Sequence, residues 1–154
     1  MASEKTNSRG NHLIRPSNLP LRLAAGAYIA NAGVSLFSEG DRANDLHKQA
    51  AAAYPALESV KPEHFLRALA IGETAVGALL LAPRVSPRLA GLALTILSAG
   101  MLGPYVKDER YHRTVGSLRP NREGDGLAKD VWILGIGLAL LSQRRRRPRP
   151  RPGD

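Results

Sequence analysis

The chain has 154 residues, enough for one ordinary domain, and no cysteine, which excludes disulfides, thiolate metal sites and CxxC redox chemistry carried by the chain itself. It carries a formal net charge of +9, yet 44% of its residues are apolar. The charges cluster in tails and linkers, so a whole-chain average conceals four apolar segments that sit awkwardly with a soluble protein.

Those segments are residues 19–37, 65–82, 89–106 and 127–142. Each is near the roughly 20 helical residues that cover an apolar core of about 30 Å. They predict an all-α fold: an integral membrane four-helix bundle of antiparallel, up-and-down topology. The bundle spans residues 18–143, with polar linkers at 38–62 and 107–125.

Residues 1–17 read as a disordered basic tail, polar and broken by Gly10 and Pro16. No small-residue cleavage site follows, so the first apolar segment reads as a retained helix. Pro20 suits its first turn, where a missing N–H costs little. Arg22 lies one turn inside, from where its guanidinium can snorkel to the interface. The 38–62 linker is mixed and polar, and its centre predicts a short surface helix ended by Pro55. The second span begins near Phe65. The turn APRVSPR after it is compact and basic, and allows only an antiparallel return into the third span, where Pro104 lies near the helix end.

The fourth span is the shortest. Its uncharged part covers residues 131–143, only 13 residues, so Lys129 and Asp130 must lie near an interface or a packed contact. Trp132 suits an interfacial anchor. Residues 144–154 form an arginine- and proline-rich tail holding Arg144, Arg145, Arg146, Arg147, Arg149 and Arg151. Beside an apolar helix, attraction to anionic lipid headgroups, about 1 kcal/mol per basic residue, outweighs a nucleic-acid reading.

Basic residues set the orientation. With both ends cytoplasmic, Lys5, Arg9, Arg15, Arg22, Arg84, Arg88 and the six tail arginines give twelve on that side against ten on the other. The tail beside the fourth span tips the choice.

Close approach at small residues replaces hydrophobic association between helices in lipid. Gly26 and Ala30, Ala68 and Gly72, Ala99 and Gly103, and Gly135 and Ala139 are each four apart and share a face, so they read as packing seams.

The polar exceptions within the spans are the candidate site. Glu73 lies near the middle of the second span, where a carboxylate must be protonated, paired or hydrated. It reads either as a polar tie inside the bundle or as a proton or cofactor contact. Asn31, with Tyr28 about one turn away, can join it in a cluster. Asp130 can pair with Arg22 or Arg67, and Lys129 with Glu73. His12, His47, His64 and His112 fall outside the spans without ligand spacing, so no metal site and no catalytic set are assigned.

The segments RLAAGAYIANAGVSLF, AIGETAVGALLLAPRVSPRLAG and GLAKDVWILGIGLALL together resemble the DoxX family of small bacterial inner-membrane proteins, over roughly residues 18–142. That resemblance implies four membrane helices, with Glu73 at the family's second-helix glutamate and Lys129 and Asp130 at its polar entry to the fourth. It implies an accessory place in a membrane-associated redox complex, thiol/oxidative-stress or quinone-linked, with quinone as a cofactor by resemblance only. The partners implied are the lipid bilayer, redox proteins or a second copy. The arginine-proline tail, the 38–62 stretch and the lack of cysteine depart from the family pattern. Whether the chain is an enzyme stays open. A small permease or channel, and a soluble helical protein with a nucleic-acid-binding tail, are the alternatives.

Overall fold

The computed structural model describes residues 18–107 and 130–143. The two tails, with all six C-terminal arginines, lie outside the described residues. So do residues 108–129, including Lys129. The described residues contain five helices and no strand. They divide into two compact units, one ending at Ser86 and the other beginning at Pro87.

In the first unit, α1 runs from Leu19 to Leu36 with Pro20 in its first turn. Its end tightens into i to i+3 bonds, from Phe37 N–H to the Val34 carbonyl at 3.2 Å and from Ser38 N–H to that of Ser35 at 3.0 Å. A single 3₁₀ turn, Gly40–Arg42, leads into α2, Ala43–Ala53. Helix α2 is amphipathic: Ala43, His47 and Ala50, at spacings of four and three, are buried. It packs against α3. Tyr54 is driven out of the helical region by the proline that follows, and α2 stops.

Helix α3 runs from Pro62 to Leu81. It begins three residues before the expected span because Pro62 can occupy a first turn. It ends at the extended Ala82, which precedes Pro83. Helices α1 and α3 pack antiparallel, Gly26 lying against Leu81, Ala30 against Gly77 and Gly33 against Thr74.

The seam is narrow for a definite reason. A Cβ on Gly77 would stand 2.5 Å from the backbone nitrogen of Ala30, and one on Gly33 would stand 2.5 Å from that of Thr74. Only hydrogen side chains let the two backbones come this close. Of the small pairs picked out by spacing, Gly26 and Ala30 lie in this seam. Gly72 and Gly135 have nothing near where a Cβ would be, and Ala68 and Ala99 are exposed. A spacing of four shows that two residues share a face, not that the face turns inward.

In the second unit, α4 runs from Pro87 to Lys107 and α5 from Asp130 to Leu141. They also pack antiparallel, with Gly91 against Leu140 and Gly137 against Thr95. Ser98 and Thr95 return their hydroxyl protons to carbonyls four residues back, those of Leu94 and Gly91, at 2.7 and 2.8 Å. Each hydroxyl is thereby satisfied without a partner on another helix. Pro104 falls inside α4, three residues before its end. Tyr105 and Leu102 form a small core with Leu134 of α5. Helices α3 and α4 are long and apolar enough to cross a membrane, while the described part of α5 is shorter.

Candidate functional site

Arg22 is the most constrained polar side chain of the first unit. It is 1% exposed. Its Nε donates to the Leu80 carbonyl at 2.7 Å, and Nη2 donates to those of Leu79 and Ala82 at 3.0 and 2.8 Å. Nη1 donates to the Val85 carbonyl at 2.9 Å. The last carbonyls of a helix have no N–H four residues ahead to receive, and they carry the negative end of the helix dipole. Pro83 and Pro87 remove two backbone donors from the same turn. Arg22 supplies donors that the turn lacks, so it closes the α1–α3 pair at one end rather than reaching outward to an interface.

A related contact occurs in the second unit. Arg88, in the first turn of α4, donates from Nε to the carbonyl of Gln143 just past α5, at 2.8 Å and in an exposed position. Each unit thus joins an arginine at the start of one helix to a carbonyl at the end of its antiparallel partner. Each also has a glycine seam. Both arginines stand in the triplet Arg-Leu-Ala, at residues 22–24 and 88–90. That repeated triplet was the available sequence signal for these caps.

Glu73 is 3% exposed. It lies with Leu66 and Leu80 along one line of α3 at spacings of seven, all three buried. Asn31 and Tyr28 stand differently. Helix α1 turns Arg22, Ala25, Gly26, Ile29 and Gly33 inward. Asn31 falls on the opposite side and is exposed, and Tyr28 is 47% exposed. The first unit therefore does not gather Asn31 with Glu73, because only one side of α1 meets α3 and Asn31 is half a turn away from it. Asp130 is buried in the first turn of α5, where the helix dipole favours a carboxylate. Among the described residues no group of His, Asp or Glu could hold a metal ion.

His47 lies outside the apolar segments, in α2. It is buried, and its Nε2 donates to the Leu57 carbonyl at 2.9 Å. Its ring meets Phe65 edge-on at 5.7 Å between centroids. It ties α2 and the 3₁₀ turn Pro55–Leu57 to the start of α3.

Next to this tie is a cleft of about 470 Å³ lined by Leu36, Phe37, Gly40, Ala43, Glu63, Leu66 and Arg67. Glu39 nearby is taken up by Arg42, with Nη1 to Oε2 at 2.7 Å. Glu63 and Arg67, four apart on α3, make no ion pair with each other among the described residues.

These features define an all-helical protein of two antiparallel helix pairs, with charged side chains buried and large apolar ones exposed among the described residues. No family model, no curated protein and no solved structure matches the chain.

Proposed function

We propose that the chain is a multi-pass protein of the bacterial cytoplasmic membrane, in which α1, α3, α4 and α5 form an up-and-down four-helix bundle with both tails cytoplasmic. The carrying observation is an inverted distribution of polarity. Arg22, Glu73, Ser98 and Asp130 are buried. Leu23, Val34, Ile71, Ile96, Val131 and Leu138 are exposed, Ile71 and Ile96 by 60% and 65%. In water such faces would be an association hazard. In lipid they meet a solvent as apolar as themselves, and close packing at glycine supplies the helix contacts. Arg22 fits the same setting, since carbonyls take the place of water around its charge. Trp132, 79% exposed at the start of α5, suits an interfacial depth.

Within that setting we read the chain as a DoxX-like accessory subunit of a membrane-associated redox complex. The support is the sequence resemblance together with a buried carboxylate at Glu73. Glu73 is 3% exposed and leaves no opening for a quinone ring. The cleft is lined by one carboxylate and one guanidinium, which suits a zwitterion better than a neutral dione.

Affinity purification from native membranes, with identification of co-purifying proteins, tests the accessory role. Stoichiometric redox proteins are the expected outcome, and a chain recovered alone at native abundance removes this reading. Glu73→Gln is expected to insert normally yet lose protection in an oxidant challenge. Wild-type survival of that variant would sink the role of Glu73. The buried carboxylate also supports a second reading, a proton-coupled permease. Unchanged flux through Glu73→Gln in proteoliposomes eliminates it.

A further inference from the structure

We propose that the cleft between the end of α1 and the start of α3 binds the headgroup of a zwitterionic phospholipid with a primary ammonium group. The proposal rests on the membrane reading above, which places this end of α3 at a bilayer surface. Helix α3 begins at Pro62, so Glu63 sits in its first turn and Arg67 about one turn further in, roughly 6 Å along the axis at 1.5 Å per residue. That interval matches the layer between lipid headgroup and acyl chain.

The side chains fit such a ligand in both charge and apolarity. Glu63 and Arg67 share a face of α3, yet neither has a hydrogen-bond or ion-pair partner among the described residues. Glu39, a carboxylate just before the cleft-lining Gly40, already accepts from Arg42. Exposed on one face of α3 and both lining the cleft, this carboxylate and guanidinium match a ligand that carries both a cation and an anion.

A phosphate accepts two parallel bonds from a guanidinium, which makes Arg67 the anion-binding member. An ammonium with N–H donors satisfies Glu63, whereas a quaternary ammonium cannot donate. Leu36, Phe37, Ala43 and Leu66 give the cleft apolar walls for the glycerol backbone and first methylenes. Phe37 is 58% exposed, and an acyl chain would cover it. With both tails cytoplasmic, the site faces the outer leaflet.

Native mass spectrometry of the full-length protein, released from nanodiscs of equimolar phosphatidylethanolamine, phosphatidylglycerol and phosphatidylcholine, tests this. Preferential retention of phosphatidylethanolamine is expected. Glu63→Gln is expected to cut that preference about ten-fold, the equivalent of one charge-assisted hydrogen bond, without changing retention of phosphatidylglycerol. Arg67→Gln is expected to weaken retention of all three. Equal retention of the three lipids by the wild type overturns the proposal, as does an unchanged preference in Glu63→Gln. Binding of soluble phosphoethanolamine without retention of the lipid also overturns it, in favour of a small zwitterion. A parallel carbonate wash of native membranes separates the two levels of inference. A chain that stays in the pellet but shows no preference defeats the lipid site alone, whereas a chain released by carbonate defeats the membrane reading and the site with it.

Discussion

At the scale of single residues, Arg22 carries more of the structure than any other polar group described. Four hydrogen bonds from one guanidinium reach four carbonyls around a single turn. Replacing it with Met leaves those buried and part-buried carbonyls without these donors, and each charged bond of this kind is worth about 1.5–3 kcal/mol. Arg22→Met is therefore expected to destabilise the purified protein by about 3–5 kcal/mol in detergent denaturation. Arg22→Lys keeps the charge but presents its donors from one point, and is expected to recover less than half of the loss. Equal midpoints for the wild type and Arg22→Met would show that the cap contributes nothing. The sequence placed this arginine one turn inside a helix but did not reveal its partners. Those lie 57 to 63 residues away, and hydrophobic periodicity carries no information about carbonyls. His47 was hidden in the same way. Its contact with Leu57 depends on where α2 ends, and nothing in the residue type signals it.

At the scale of elements, the helices were largely legible. Continuous apolar runs bounded by prolines placed α1, α3 and α4 to within about three residues of their observed ends. The short helix before Pro55 was legible for the same reason, since proline constrains the residue before it. The seams were not. Four small-residue pairs were available, and spacing alone could not tell an inward face from an outward one. Contact at Gly33 and Gly77 decides between them. Gly77→Val is expected to force the α1 and α3 backbones apart and lower the melting temperature of the detergent-solubilised protein. Gly72→Ala, on the same helix with nothing within 4 Å, is expected to leave it unchanged. The two variants differ by only five positions, so a similar loss in both would contradict the seam. His47→Ala should leave this seam intact while raising amide hydrogen exchange in residues 54–60, because the lost hydrogen bond and ring contact hold only α2 and its turn.

At the scale of the molecule, the cysteine-free chain allows its topology to be mapped with single introduced thiols. Ser59→Cys, between α2 and α3, is expected to react with a membrane-impermeant thiol reagent applied to intact spheroplasts. Ser86→Cys, between α3 and α4, is expected to react only after the membrane is permeabilised. The opposite pattern would invert the orientation inferred from the arginines, and labelling of both in intact spheroplasts would contradict the bundle. Arg22 also bears on the order of events during synthesis. Its nearest partner in sequence, Leu79, follows 57 residues later. Until then α1 carries a cation that costs roughly 2.5–3.5 kcal/mol at the centre of a bilayer and somewhat less near its edge. On the proposed membrane reading, the first helix is an incomplete passenger that becomes stable in the bilayer only once α3 has left the ribosome. Nascent chains halted with residue 60 emerged are expected to wash out with carbonate, and chains halted with residue 90 emerged are expected to stay. If both stay equally, α1 enters unaided.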